Sequence, residues 1–223
     1  VVEALSHSAA WNNVKLSIKW IDSEANYNEQ DYKELLGNID GILVPGGFGI
    51  RGISGKINIV KYARTNNIPF LGICLGMQVA VIEFAQNVCK IEDAYSSEFD
   101  ENCKNPIIDL MSDQKYINGL GGSMRLGAYP CILKPDSLAA KIYQKESISE
   151  RHRHRYEFNN KYRSVIEEFG MKISGLSPDN LLVEAVEIKD HPFFIGVQFH
   201  PEFKSNPETP HPLFRHFIKA AKK

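Results

Sequence analysis

Two spacings of apolar residues alternate along the chain. Short apolar runs bounded by Gly, Pro or Asn occupy 14–21 (VKLSIKWI), 41–46 (GILVPG), 68–74 (IPFLGIC), 129–134 (YPCILK), 171–176 (MKISGL), 181–188 (LLVEAVEI) and 192–199 (PFFIGVQF). Their length and their Val, Ile and Phe content predict β-strands. Between them the apolar positions return with helical period over 29–36, 53–66, 76–88, 160–169 and 211–222. Strand–helix alternation through the first half predicts an α/β fold: an open, mostly parallel, doubly wound sheet flanked by helices. The strand-rich second half adds a small antiparallel accessory part. No repeat, low-complexity run or linker interrupts the pattern, so residues 1–223 read as one domain. The segment 99–122 follows neither period and reads as a long surface loop. The sequence opens on a helix-like run, VVEALSHSAAW, where a sheet of this kind begins on a strand. A first strand is therefore expected to be missing from the front.

Composition narrows the function classes. Apolar residues make up 43% of the 223, enough for a sizeable core. With 26 basic against 27 acidic residues and a net charge of -1, nothing favours nucleic acid or a membrane surface as a partner. No run approaches the roughly 20 apolar residues of a membrane span, and no charged-then-apolar leader opens the chain. Cys74, Cys89, Cys103 and Cys131 show no C-x-x-C pair and no disulfide spacing. They read as reduced thiols, which predicts a cytoplasmic protein.

The sharpest local signal is Gly72-Ile73-Cys74-Leu75-Gly76. An apolar strand runs into it and a helix runs out, the context of a nucleophile elbow. The flanking glycines make room for a tight, strained turn, and a helix N-terminus favours thiolate, lowering the thiol pKa from about 8.5. A buried structural cysteine fits the same five residues. A second strand ends in Gln198-Phe199-His200-Pro201-Glu202. A cysteine nucleophile needs a base and the base an orienting group, which His200 and Glu202 would supply. Parallel strands bring both ends to one edge of the sheet. Pro45-Gly46-Gly47-Phe48-Gly49 also follows a strand, where a glycine turn exposes N–H donors to an oxyanion. Gly47 and Leu75 are assigned that role. The loop lacks the G-K-[ST] ending of a phosphate loop.

Glu150–Glu157 (ERHRHRYE) alternates basic residues as a strand does, with Arg151, Arg153 and Arg155 on one face and His152 and His154 on the other. An arginine here could hold a substrate carboxylate, and no ligand spacing suggests a metal. Glu98 could hold a substrate ammonium and Gln78, one turn beyond Cys74, could reach the same pocket. Each also reads as an ordinary solvated side chain.

Taken in order, PGGFG, GICLGMQ, RHRHRYEFNN and GVQFHPEF resemble the motifs of class I (triad-type) glutamine amidotransferases, with the match closest to the glutaminase domains of the CTP synthases. VPGGFGIRG and GGSMRLG add to that likeness, which runs across nearly the whole chain. The resemblance implies that Cys74 attacks the glutamine side-chain amide, with His200 as base and acid and Glu202 orienting it. It places glutamine contacts on Gly47, Leu75, Gly76, Met77, Gln78, Glu98, Arg155 and Tyr156. It implies GTP activation through loops at Arg51-Gly52 and at Ser123 and Arg125, and no cofactor or metal in this domain. ATP, UTP and Mg²⁺ belong to an N-terminal synthase domain of the same polypeptide, absent here, which consumes the ammonia to make CTP. Full-length family members assemble as homotetramers. Another class I amidotransferase, a γ-glutamyl hydrolase-like enzyme or a catalytically silent assembly module would share the fold. RHRHRYE and GGSMRLG argue against the first two, and the intact Cys, His and Glu against the third.

Overall fold

In the computed structural model, residues 1–110 and 124–222 are described. The chain folds as α1 (Val2–Trp11), α2 (Glu29–Leu36), β1 (Ile42–Val44), α3 (Ile53–Thr65), β2 (Phe70–Ile73), α4 (Leu75–Asn87), β3 (Ala94–Ser96) and β4 (Asn105–Leu110). It continues through β5 (Arg125–Leu133), α5 (Leu138–Tyr143), β6 (Ser147–His154), β7 (Tyr156–Phe158), α6 (Arg163–Glu168), β8 (Met171–Leu176), β9 (Val183–Ile188), β10 (Phe194–Val197) and α7 (Pro212–Ala221). Helix ends follow local chemistry. Asn28 and Asp31 form a reciprocal capping box at the start of α2. Pro212 stands at the first turn of α7, where the Leu213 N–H donates to the His211 side chain.

Seven strands form the main sheet in the order β1-β2-β10-β9-β8-β5-β6. The α/β class and the flanking helices match the sequence reading. The parallel share does not: β1, β2 and β10 pair in parallel, whereas every pairing from β10 to β6 is antiparallel. Short connections after β8 and β9 account for the β8–β9 and β9–β10 pairings, since a parallel neighbour needs a crossover of a dozen or more residues. A second sheet, β3-β4-β7, forms the accessory part. Its β4 lies within the stretch expected to be loop, and residues 111–122 of that stretch are outside the described residues.

The strand expected at 14–21 is not formed. Val14 and Leu16 pack on the core, but a strand also needs a neighbour's hydrogen-bonding edge, and none of the described strands pairs with this segment. The sheet is packed on both faces around β2 and β10, while β5 and β6 leave one face exposed. One core holds α3, α4 and the accessory sheet, including Val60, Met77, Phe84 and Ile108. The other holds α1, α5 and α7, including Leu5, Ile142, Phe214 and Phe217. β2 and β10 lie between these layers and are buried along their length, which explains their unbroken apolar sequence.

Candidate active site

β2 and β10 are in-register parallel neighbours, with Phe70 beside Phe194 and Ile73 beside Val197. The next residues, Cys74 and Gln198, therefore leave the sheet side by side, and the Cys74 N–H donates to the Val197 carbonyl at 2.7 Å. Cys74 turns the chain into α4 at φ 52° and ψ -105°, left-handed backbone that a non-glycine residue adopts under strain. Close packing around the turn requires its glycines. A Cβ on Gly76 would stand 2.1 Å from the Val44 carbonyl oxygen, and one on Gly72 would stand 2.7 Å from the Gly76 backbone.

His200 follows β10 and opens a short 3₁₀ turn, Pro201–Lys204. Its N–H donates to the Arg151 carbonyl, and Nδ1 lies 2.8 Å from Glu202 Oε1. The position that a Cβ on Gly46 would occupy is 2.7 Å from His200 Cε1 and 3.6 Å from Cys74 Cβ. The imidazole and the cysteine thus both pack against Gly46, where a side chain would collide with the ring.

The thiol is not the low-pKa group expected of a helix N-terminus. Burial pushes Cys74 up to about 12; the Leu75 N–H opposes this, and the carboxylates of Glu202, Glu157 and Glu98 add to it. Cys74 is only 3% exposed, so loss of hydration outweighs the field of α4. Sγ receives the Gln198 amide at 3.7 Å and lies 4.0 Å from the Arg153 carbonyl.

Cys74 opens onto a cavity of about 130 Å³ lined also by Gly47, Phe48, Gln78, Glu98, Met124, His154, Arg155 and Tyr156. Five expected contacts, Gly47, Gln78, Glu98, Arg155 and Tyr156, meet there. Gln78 is buried, not solvated, and its Nε2 donates to the Tyr156 carbonyl at 3.0 Å. Glu98 accepts from the Gly49 N–H at 3.1 Å. Burial raises its carboxyl, while Gly49 and the charge of Arg155 pull it back. The wall therefore carries one acidic and one basic side chain close together. Leu75 lies against Gly47, within 3.1 Å of the position of an added Cβ. Gly76 packs on Val44, and Met77 is wholly buried beside Gly196, so these two side-chain positions face the core and not the cavity.

The basic strand behaves as alternation predicted up to His154: Arg151 and Arg153 are exposed, and His152 and His154 are buried. The pattern ends there, and Arg155 lies in the bend before β7, which turns it away from that face toward the cavity. Sequence reasoning did not single out Phe48, Met124, His154 or Gln198 as site residues. The inward histidine face was visible in the alternation, but a lone glutamine in an apolar run gave no signal.

The expected effector residues separate. Arg51 is exposed and ion-paired with Glu24 at 2.7 Å, and Gly52 caps α3 at φ 67°. Gly52 borders a second cavity, of about 340 Å³, with Ser23, Glu24, Tyr27 and Ser54. Arg125 opens β5 and is not on an exposed loop. Its side chain is 11% exposed and bridges Glu157 at 3.1 Å and Glu184 at 2.8 Å, because buried acidic groups favour a cation between them. Ser123 lies outside the described residues.

Residues 1–220 match the family described as Glutamine amidotransferase class-I. CTP synthase from Caldanaerobacter subterraneus subsp. tengcongensis is 56% identical over 220 residues, covering 99% of this chain and 41% of that protein. CTP synthase from Clostridium beijerinckii is 59% identical over 221 residues, with the same coverage of each. The chain thus spans about two fifths of the length of the curated relatives it matches. Among solved structures, the glutaminase domain of Trypanosoma brucei CTPS with bound acivicin superposes with a TM-score of 0.93 at 40% identity, covering 99% of this chain and 86% of that one. A glutamine amidotransferase from Thermotoga maritima, 14% identical with a TM-score of 0.51 and covering 98% of this chain and 90% of that one, shares the fold.

Proposed function

The chain belongs to the class I glutamine amidotransferases, and from that premise we propose that it hydrolyses L-glutamine to glutamate and ammonia through a γ-glutamyl thioester on Cys74. What supports this reading is that Cys74 and the His200–Glu202 pair both pack against Gly46, with Cys74 opening onto a cavity that has an acidic and a basic wall. A thiol held protonated by burial needs a base at the moment of attack. His200 takes the Sγ proton, and Glu202 orients the ring and stabilises its cationic form. The thiolate attacks the side-chain amide carbon, and the oxyanion accepts from the Gly47 and Leu75 N–H groups. His200 returns the proton to the departing nitrogen, and ammonia leaves. Water activated by His200 then cleaves the thioester, releasing glutamate and restoring the thiol. Glu98 receives the substrate ammonium and Arg155 its carboxylate, with Gln78 and Tyr156 completing the wall.

In the full polypeptide the ammonia passes to an N-terminal synthase domain, where ATP activates UTP with Mg²⁺ and CTP forms. The identity to CTP synthases across nearly all of this chain supports that assignment. GTP acts as an allosteric activator at the Arg51-Gly52 turn and Ser123. The whole enzyme works in the cytoplasm as a homotetramer, a setting that suits four free thiols.

The test is covalent labelling with 6-diazo-5-oxo-norleucine, followed by intact and peptide mass. A single adduct on Cys74, blocked by excess glutamine, is expected. An adduct on Cys89, Cys103 or Cys131, or none in folded protein, would overturn the reading.

A further inference from the structure

The sulfur of Cys74 has a side-chain neighbour that the mechanism above does not use. Gln198 is 0% exposed, held by its own N–H on the Glu184 carbonyl at 2.9 Å. Its Nε2 donates to Cys74 Sγ at 3.7 Å, and its Oε1 accepts from Gln78 Nε2 at 3.2 Å. Gln78 sits one helical turn beyond Cys74, with its N–H on the Cys74 carbonyl at 3.2 Å, so its side chain rises over the same edge.

The network fixes which way the amides point. The Tyr156 carbonyl accepts only, so the Gln78 atom 3.0 Å from it must be the nitrogen. That same nitrogen touches Gln198, which must therefore present its oxygen to Gln78. The Gln198 nitrogen is left facing sulfur. A flipped Gln198 would set two amide nitrogens together and turn a carbonyl oxygen onto the thiolate.

We propose that Gln198 is a positioning residue for the Cys74 sulfur, with Gln78 setting the direction of the amide that points at it. This rests on Cys74 being the nucleophile. A neutral N–H donor favours thiolate over thiol without titrating itself. It opposes the burial that holds the thiol protonated, and it fixes the sulfur in the direction from which it attacks. Because Gln78 also lines the cavity and anchors the Tyr156 carbonyl, the substrate wall and the nucleophile are tied by two side-chain amides.

The experiment is the pH profile of Cys74 alkylation by iodoacetamide, followed by peptide mass, in wild type, Gln198→Met, Gln198→Glu and Gln78→Met. Thermal unfolding shows which variants are folded. Loss of one hydrogen bond to a charged group is expected to move the profile alkaline by about one to two pH units. At a fixed pH below the midpoint, alkylation then slows about ten- to hundred-fold. Gln198→Glu keeps the shape but replaces the donor with a carboxylate, so it slows more than Gln198→Met. Gln78→Met frees the Gln198 amide to rotate and gives a smaller shift of the same sign. A folded Gln198 variant with the wild-type profile, or one shifted to acid, overturns the role of Gln198. Failure of the wild type to form the glutamine-blocked adduct on Cys74 overturns the functional reading instead.

Discussion

His200 Nδ1 lies 2.8 Å from Glu202 Oε1, while the ring's Nε2 is buried with no hydrogen-bond partner among the described residues. One nitrogen is thus committed to a carboxylate and the other is left without a partner. Glu202→Gln keeps the shape of the pair and removes the charge that orients the imidazole and stabilises its cation. The expected result is a fall in glutaminase kcat of about 10²- to 10⁴-fold, with KM for glutamine little changed. Steady-state ammonia release decides it, and an unchanged kcat would remove Glu202 from the mechanism.

The elbow stores measurable strain. Cys74 is held at φ 52°, and backbone of this kind costs a non-glycine residue about 1–3 kcal/mol. Glycine in ordinary helix or strand is less stable than alanine by about 0.5–1 kcal/mol. At position 74 the order should reverse: Cys74→Gly is expected to exceed Cys74→Ala in urea unfolding by about 1 kcal/mol. Both variants should be inactive. Alanine as the more stable of the two would mean the elbow is relaxed.

Arg125 and Arg51 both make ion pairs, in opposite surroundings. The Arg125 side chain is 11% exposed between Glu157 and Glu184, whereas that of Arg51 is 81% exposed against Glu24. Arg125→Met takes the cation away from the two buried acidic groups it bridges and should cost about 3–5 kcal/mol. Arg51→Ala should cost under about 1 kcal/mol. Chemical denaturation of both variants at one pH checks the contrast, and equal losses would show that the buried bridge is not a support of the fold.

These sites differ in how far the sequence revealed them. β2 and α4 were legible because the period changes at Cys74 between two glycines, and β10 because an apolar run stops at His200. The inward face of His152 and His154 followed from strict alternation. Residues 14–21 misled because run length and Val and Ile content report a leaning to strand and say nothing about a partner edge. β4 was missed because NPIIDL is short and sits among polar residues. Arg125 was placed on a loop by resemblance, while its charge answers Glu157 and Glu184, residues far away in sequence. Gln198 could be found only through the register that sets β10 beside β2.

The buried polar cluster under the site should shape the pH dependence of stability on both sides. Burial, with the charge of Arg125, pushes His152 down to about 2 and His154 down to about 3. Around them stand Glu184, 3.8 Å from His152, Glu157, 3.5 Å from His154, and the more distant charge of His200. In the unfolded chain both histidines bind protons below about 6.5. The folded chain refuses those protons, so stability falls as pH drops from about 6.5 toward 3. Glu157 acts in the other direction. Burial raises it to about 8 despite Arg125, so the folded chain keeps a proton that the unfolded chain loses near 4.5. That contribution is lost as pH rises through 8. Urea unfolding across pH 4–9 should therefore show His154→Gln losing less stability than wild type on acidification. Glu157→Gln should lose less on the alkaline side. Curves that stay parallel to wild type in both variants would mean these groups titrate alike in the folded and unfolded chain.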